Sequence, residues 1–357
     1  MVRNSRQAAG VLAATVLGTL AACSPGTGGG ADTAGGADDS VTLVTHDSWA
    51  MPDQVVEAFE EETGYRLEVV PSGDAGALTN KLVLTKDNPI GDAVYGIDNT
   101  FATRAVDEGV LDPYQVPDLP GSAERLRLEG AAGDALTPVD WGDVCVNVDE
   151  VWFAERDLTP PSTLDDLVDP AYRGLFVTPG AATSSPGFAF LLATIGEYGE
   201  DGWADYWTAL LDNGAKIVGD WSDAYEVDFT AGGGGGDRPL VVSYNSSPPF
   251  TIPEGERRPT TSALLDTCFR QVEYAGVLAG ADNTDGAQAL VDFVVGRTFQ
   301  AALPENMYVF PVDESVRLPA LWARWTEPAE SPISVPANEI SEHRSEWIRE
   351  WSDVTAR

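Results

Sequence analysis

The chain has 357 residues, and its 57 Asp and Glu against 21 Lys and Arg give a formal net charge of −36. This balance excludes most nucleic-acid-binding classes, because the phosphate backbone binds basic surfaces. Apolar residues make up 43% of the chain, which is typical of a globular protein. The length favours two lobes, since single cores stop growing near ~250–300 residues. Two His are too few for a metal site built from several histidines.

The amino-terminal segment has the pattern of an export signal. Arg3 and Arg6 precede an apolar run at 8–22, which is shorter than the ~20 residues that a membrane-spanning helix needs. The run ends in Leu-Ala-Ala before Cys23. This resembles the bacterial lipoprotein signal, in which cleavage precedes the cysteine and the thiol is lipidated. We expect 1–22 to be a lipoprotein signal peptide and Cys23 to be the lipidated residue; an ordinary signal peptide with a chance cysteine is the alternative.

The residues after Cys23 are typical of a tether. Residues 24–39 contain no hydrophobic side chain larger than Ala, so they cannot contribute to a core. We expect 23–40 to be a flexible Gly/Ala/Asp tether. It would hold the mature protein on the outer face of the cell membrane, in the periplasmic space or at the cell surface.

Two further cysteines, Cys145 and Cys268, follow in the body of the chain. Outside the cytosol such a pair is commonly oxidised, and we expect a structural disulfide. Two unpaired buried thiols are one alternative. A catalytic thiol is the other, although it would need a lowered pKa and a nearby base.

Strand and helix patterns alternate from residue 41 onwards. Strands are predicted at 41–45, which is a short β-rich run, and at 67–70 and 92–96. Helices are predicted from Pro52 to a stop at Gly64, over 74–85 with Asp74 as the N-cap, and over 99–108 with a stop at Gly109. This alternation indicates an α/β domain with a largely parallel sheet.

A second block of the same kind begins near Cys145. The patterns predict a helix that starts at 162–166 and further helices at 201–211 and 222–229. Another helix is predicted over the apolar run 188–195, with Ser185 as its N-cap and Pro186 as its first residue. Strands are predicted at 174–178, 216–218 and 239–244, and a flexible turn at the glycine run 232–236. The chain then returns through a strand at 271–276, helices at 285–296 and 299–303, and a long amphipathic helix at 338–351.

Two α/β blocks with a return crossing imply two lobes joined by a hinge of two or more strands. We assign 41–142 and 272–312 to lobe 1, and 143–271 and 313–357 to lobe 2. Ligands of such proteins bind between the lobes, at the carboxyl ends of parallel strands.

The sequence carries no motif that marks an enzyme or a metal site. It has no Gly-x-Ser-x-Gly elbow, no His-Glu-x-x-His and no zinc-spaced cluster of Cys and His. Instead, aromatic residues stand beside small polar turns at strand-to-helix junctions, at 45–49, 96–99, 183–187, 219–225, 243–248 and 304–311. Ring faces attract cations, and hydroxyls and free N–H groups at helix starts attract anions. These junctions therefore predict one ligand cleft.

From about 41 to 351 the chain resembles the periplasmic thiamine-binding proteins of bacterial ABC importers. Five stretches and the pattern of the last helix carry the resemblance: Thr45-His-Asp-Ser-Trp-Ala50, Gly96-Ile-Asp-Asn99, Thr183-Ser-Ser-Pro-Gly187, Asp220-Trp-Ser-Asp-Ala-Tyr225, Ser243-Tyr-Asn-Ser-Ser-Pro248 and Glu346-Trp-Ile-Arg-Glu-Trp351. The resemblance implies an α/β, two-lobed periplasmic-binding-protein-like fold of class II, with the ligand cleft between lobes joined by hinge strands.

The resemblance also implies site residues. Trp221 and Tyr244 would pack against the rings of the vitamin. Tyr308 falls where the family carries a stacking Trp, and His46 where a Tyr is common, so this chain departs from the family at both positions. Ser184, Ser185 and the turn at 245–248 would hold the hydroxyethyl or phosphate end of the ligand. The full set of remaining candidates is Asp74, Ala75, Asp98, Ser184, Ser185, Asn245, Ser246, Ser247 and Pro248.

These expectations amount to an extracytoplasmic solute-binding lipoprotein, monomeric as is usual in the family, without cofactor, metal or nucleic acid. It would deliver thiamine or its mono- and diphosphate to an ABC permease in the membrane. A polyamine or another cationic solute is the main alternative ligand. Ferric iron is disfavoured, because Asn245 follows Tyr244 where iron sites use adjacent tyrosines. A thiaminase-like enzyme with Cys145 as its nucleophile and a tethered adhesive protein are the alternatives from other classes.

Overall fold

A computed structural model describes residues 39–356. No helix within this range is both long and apolar enough to cross a membrane. The signal peptide predicted at 1–22, the lipidation of Cys23 and nearly all of the predicted tether lie outside the described residues.

Ten strands in the described range form one mixed sheet, in which eight follow the order β2-β1-β3-β9-β5-β8-β6-β7. Two short strands lie off this path, with β4 paired to β9 and β10 to β5. The bounds are β1 (Ser40–Thr45), β2 (Arg66–Pro71), β3 (Ala93–Asp98), β4 (Leu111–Asp112), β5 (Thr137–Asp149), β6 (Phe176–Pro179), β7 (Lys216–Val218), β8 (Leu240–Tyr244), β9 (Thr261–Leu278) and β10 (Phe310–Pro311).

Eleven α-helices of the described range surround this sheet: α1 (Asp53–Thr63), α2 (Ala75–Leu84), α3 (Ala102–Asp107), α4 (Gly130–Ala135), α5 (Glu150–Ala154), α6 (Ser185–Tyr198), α7 (Trp203–Asp212), α8 (Thr284–Val294), α9 (Arg297–Asn306), α10 (Ala320–Trp325) and α11 (Ala337–Thr355). Apolar side chains of these helices and of the strands form the core, including Phe59, Trp203, Trp207 and Trp347, each at most 1% exposed.

Two parallel half-sheets, β2-β1-β3 and β8-β6-β7, are joined by the long strands β5 and β9. These two strands pair antiparallel from Thr137 opposite Ala275 to Asp149 opposite Thr261. The prediction of a largely parallel sheet is therefore correct for each half-sheet and wrong for the middle. The antiparallel centre arises because the chain crosses between the half-sheets twice, in opposite directions. The predicted lobe boundaries, at 142/143 and 271/272, fall inside β5 and β9.

Most predicted elements are confirmed, with differences at their ends. Ser184, not Ser185, is the N-cap of α6, because its backbone is extended and its Oγ accepts a hydrogen bond from the N–H of Gly187 at 3.3 Å. The helix predicted from residue 99 begins only at Ala102, since the Asp98 carboxylate first accepts the N–H groups of Thr100 and Phe101.

Two predicted helices take other forms. The helix predicted from 162–166 is reduced to a 3₁₀ turn at Asp165–Val168, because Pro170 follows and cannot donate a backbone hydrogen bond. The helix predicted at 222–229 is a short π-helix at Asp223–Asp228. The strand predicted at 271–276 covers only a third of β9, within its second half, and the sequence patterns did not identify β5 as a strand.

Cys145 on β5 and Cys268 on β9 form a disulfide, and both residues are fully buried. The pairing register jumps here: Val144 faces Phe269, whereas Val146 faces Leu264. Four residues of β9 thus stand opposite Cys145 alone, and this bulge is held by the disulfide. The same stretch carries an ion pair between Arg270 and the buried Asp143, with Nε–Oδ1 at 2.7 Å.

Replacing both cysteines by serine is expected to lower the free energy of unfolding by about 2–5 kcal/mol, because the bond closes a long loop and holds the bulge. Urea denaturation of the mature protein measures the change. Reduction should destabilise the wild type by a similar amount and leave the double variant unchanged. Equal stability of the variant and the oxidised wild type would contradict this role.

Candidate ligand-binding site

A narrow cavity of about 40 Å³ lies where several strands of the two half-sheets end. This volume is smaller than the ~300–1,000 Å³ that is usual for small-molecule sites, so binding of a molecule of that size requires the walls to move apart. Its walls come from the turn after β1, the loop before α2, the start of α6, the segment after β7, the end of β8, the interior of β9 and the segment after α9. The lining residues are His46, Ser48, Asp74, Pro186, Trp221, Tyr244, Glu273, Met307, Tyr308 and Val309.

The turns after β1 and β2 bring His46 and Asp74 to the same wall. The two strands are parallel neighbours, so their carboxyl ends meet at one edge of the sheet. Backbone and side-chain bonds then join the turns: the N–H of Asp47 donates to the Gly73 carbonyl at 2.9 Å, and the N–H of Gly73 donates to Asp47 Oδ1 at 2.8 Å. The positions of His46 and Asp74 are therefore fixed by sheet geometry.

Trp221 and Tyr244 form an aromatic wall on the side of the second half-sheet. Trp221 stacks on Tyr225 with ring centroids 5.0 Å apart, and its Nε1–H donates to Ser243 Oγ at 3.0 Å. The Tyr244 hydroxyl accepts a hydrogen bond from Gln271 Nε2 at 3.0 Å. Both rings are nine-tenths buried and still border the cavity. Their orientations are thus fixed before a ligand arrives.

Tyr308 closes the aromatic wall with an unusual backbone. Its φ is +61°, in the left-handed region that side chains other than Gly rarely adopt. Ser246 Oγ donates a hydrogen bond to the Tyr308 carbonyl, and the ring of Phe250 stacks on that of Tyr308. Tyr308 also meets Trp221 edge to face at 5.8 Å. Such a strained conformation persists because its surroundings determine it, and it holds the ring at the cavity wall.

The Asp74 carboxylate joins the two half-sheets across the cavity. Its Oδ1 accepts the N–H of Ala75 at 2.7 Å and that of Ser185 at 3.3 Å, and its Oδ2 accepts the N–H of Trp221 at 3.3 Å. Burial raises the pKa of Asp74 above its ordinary value, although these hydrogen bonds and the nearby His46 favour the charged form. The carboxylate thus occupies the N–H group at the start of α6 that an anionic ligand would otherwise meet.

Glu273 places a second carboxylate in the cavity, at 6% exposure. Its Oε2 lies 3.5 Å from His46 Nε2, and its Oε1 accepts a hydrogen bond from Gln271 Nε2 at 3.1 Å. Asp140 faces it across the β5–β9 pairing, and both burial and the charge of Glu273 raise the pKa of Asp140 well above its ordinary value. The described lining residues thus include two carboxylates, one imidazole and no Lys or Arg, which favours a cationic ligand.

Five predicted site residues line the cavity: His46, Asp74, Trp221, Tyr244 and Tyr308. Ala75, Ser184 and Ser185 lie next to it, at the two helix starts that meet around Asp74.

The turn at 245–248 lies behind the aromatic wall. Asn245 accepts the N–H of Asp143 and donates to the Glu327 carbonyl, and Ser246 supports Tyr308. Ser247 Oγ lies 2.8 Å from Ser243 Oγ and accepts the N–H of Tyr244, while Pro248 begins a 3₁₀ turn at Pro248–Thr251. These residues position the wall and do not line the cavity.

Asp98 lies apart from the cavity lining. Its Oδ1 caps the turn before α3, as described above, while its Oδ2 has no hydrogen-bond partner among the described residues. Burial raises its pKa to about 7.

Glu273 is the lining residue that the sequence analysis missed. The other unpredicted lining residues, Ser48, Pro186, Met307 and Val309, lie inside stretches that it quoted. A signal for Glu273 existed: it is the single charged residue of the otherwise apolar and aromatic run 272–278. A charge in such a strand is rarely buried without a role.

Comparisons with known proteins agree with this architecture. Residues 54–330 match the profile of the family described as bacterial extracellular solute-binding protein. The thiamine-binding periplasmic protein of Brucella melitensis is 29% identical over 330 residues, covering 90% of this chain and 93% of that protein. The counterpart of Escherichia coli is 29% identical over 323 residues, covering 89% and 94%.

A solved structure titled periplasmic thiamin binding protein superposes with a TM-score of 0.77 at 27% identity, covering 89% of this chain and 96% of that one. The predicted two-lobed α/β fold with a cleft between lobes is confirmed, and so is the resemblance to thiamine-binding periplasmic proteins. The chain therefore belongs to the bacterial extracellular solute-binding proteins.

Proposed function

We propose that this protein is the receptor of an ABC importer, that it binds thiamine outside the cytoplasm, and that it delivers the vitamin to a membrane permease. The observation that carries the proposal is the cavity itself, in which the carboxylates of Asp74 and Glu273 face an aromatic wall. Thiamine presents a permanently cationic thiazolium and a flat aminopyrimidine. Carboxylates and ring faces are the groups that bind such a molecule. The names of the relatives support the same ligand.

The unphosphorylated vitamin is expected to bind more tightly than its mono- or diphosphate. A phosphate at the start of α6 would compete with Asp74 for the N–H of Ser185, and the described lining offers no Lys or Arg to neutralise it. The acidic surface of the protein also attracts a cation and repels an anion, within a Debye length of ~8 Å.

The alternative ligand and the alternative enzymatic function are not equally supported. A polyamine would also suit two carboxylates and aromatic rings, so it belongs in the binding assay. A thiaminase-like reaction would require the thiol of Cys145, but that sulfur is bonded to Cys268 and does not line the cavity. We propose a monomeric receptor whose predicted lobes close around the ligand by bending β5 and β9.

Isothermal titration of the ligand-stripped mature protein with thiamine tests the proposal, with thiamine monophosphate, thiamine diphosphate and spermidine measured in parallel. We expect thiamine to bind at sub-micromolar concentration, the phosphates more weakly and spermidine not at all. Binding of spermidine with no binding of any thiamine form would replace the vitamin by a polyamine.

Trp221→Ala and Tyr244→Ala are each expected to weaken thiamine binding by more than about tenfold, or about 1.4 kcal/mol, because each removes a ring that borders the cavity. Titration calorimetry measures the affinities. Trp325→Ala is the matched control, since Trp325 lies away from this cavity, with its Nε1–H donating to the Arg257 carbonyl. Unchanged affinity in both cavity variants would place the ligand elsewhere.

Glu273→Gln is expected to weaken thiamine binding, again by more than about tenfold, since it removes a buried negative charge at nearly constant shape. The same titration measures the loss, and Glu314→Gln is the control, because that side chain is 69% exposed and pairs with Arg125. An equal affinity of Glu273→Gln and wild type would remove this carboxylate from the site.

We further propose that Cys23 anchors the mature protein to the membrane through a lipid. Cys23→Ala is expected to release the protein from the membrane fraction, whereas Ser24→Ala should leave it there, because only the cysteine carries the thiol that is modified. Immunoblots of membrane and soluble fractions measure the distribution. Retention of Cys23→Ala in the membrane fraction would refute the lipid anchor.

A further inference from the structure

His46 is a buried titratable group in the wall of the cavity. It is 6% exposed, and its Nε2 lies 3.5 Å from Glu273 Oε2. The ring fits there because residue 96 is Gly: a Cβ at that position would lie 2.2 Å from His46 Cδ2. Neither ring nitrogen has a hydrogen bond of good geometry to another described residue. His46 lines the cavity, so a ligand bound there would lie against the imidazole ring.

Acidic groups face His46 from several elements. Glu273 on β9, Asp74 before α2 and Asp47 in the same turn all favour its protonated form, and Asp140 on β5 lies behind Glu273. The nearby phenols of Tyr95 and Tyr244 stay neutral, because burial raises their pKa values well above the ordinary range. Burial of the imidazole opposes its charge, but the carboxylates outweigh that effect and raise the pKa of His46 above its ordinary value of 6.5.

In the ligand-free cavity, the His46 proton thus balances part of the charge of Glu273 and Asp74. A permanently cationic ligand needs the same two carboxylates, and two positive charges in one small cavity repel each other. The ligand cation and the imidazolium proton are therefore competitors.

We propose that His46 exchanges its proton for the ligand cation, so that binding is linked to the release of a proton from this residue. The N–H bond of the imidazolium breaks, the proton leaves to the buffer, and a neutral imidazole remains beside the bound cation. The inference rests on the proposed function, because it takes a cation as the ligand.

The direction of the pH dependence follows from this competition. Above the pKa of ligand-free His46 no proton has to leave, and the affinity is constant. Below that pKa, affinity falls as pH falls, by up to about tenfold per pH unit, until the pKa of the ligand-bound state is reached. The ligand is therefore held most tightly above the pKa of ligand-free His46 and more weakly below it.

Calorimetric titration with thiamine tests the exchange at a series of pH values from about 6 upwards, because the pKa of His46 is raised above 6.5. Each titration is repeated in two buffers of different ionisation enthalpy, so that the number of released protons is measured. The variants are His46→Asn, which cannot titrate, and His343→Asn as the matched control. His343 is the other histidine of the chain and lies 39% exposed on α11.

Proton NMR of the wild type gives a measurement that does not depend on any variant folding. The chain has two His, so two imidazole signals are expected, and His343→Asn assigns them. The His46 signal should titrate above 6.5 without ligand and at lower pH with thiamine bound. The His343 signal should be indifferent to the ligand.

Up to about one proton released per thiamine, abolished in His46→Asn and kept in His343→Asn, would establish the exchange. Tight thiamine binding with no proton release and a flat pH profile would overturn it and leave the proposed function intact. A pH dependence of thiamine affinity that persists in His46→Asn would assign the proton linkage to the carboxylates and would also overturn the exchange. Absence of thiamine binding at every pH would overturn the proposed function and the exchange with it.

Discussion

The antiparallel pairing of β5 with β9 is the constraint on which the rest of the structure depends. Each strand carries the chain from one half-sheet to the other, so the relative position of the halves is set by one stretch of backbone hydrogen bonds. The disulfide and the ion pair of Arg270 with Asp143 are both found along this pairing. The cavity lies beside it, and Glu273 on β9 belongs to its wall. The same strand, β9, therefore takes part both in the architecture and in the lining of the cavity.

Electrostatics then decides what the cavity can hold. In a chain with a formal charge of −36, burial of a further carboxylate does not stabilise the fold, so such a buried carboxylate indicates a function. Asp74 and Glu273 each have partners that hold the oxygens in place, while part of their charge is left for a ligand. The aromatic wall gives flat surfaces to the same ligand, and Tyr308 keeps a strained backbone to present its ring. This combination favours a planar cation over a sugar or an anion.

Local signals explain why much of the fold could be predicted from the sequence. Gly64 stops α1, Asp74 caps α2, and short β-branched runs mark β1 and β7. The central strands were not fully predicted from the sequence, because β5 mixes Pro138, Trp141 and three Asp with its apolar residues, and β9 contains a bulge. Five predicted site residues line the cavity, because junction turns of parallel strands converge. Glu273 was missed because its role arises from β5–β9 pairing over a long sequence separation, which no local pattern reports.

Glu273 stands on one of the two strands that must bend if the lobes move, and this position has a consequence for any partner. A carboxylate that lines the cavity and a backbone that joins the two half-sheets are here the same segment of chain. In the proposed closure, occupancy of the cavity changes the positions of the two lobes relative to each other. A membrane protein that recognises both lobes at once could distinguish loaded from empty receptors by shape alone, without contacting the ligand.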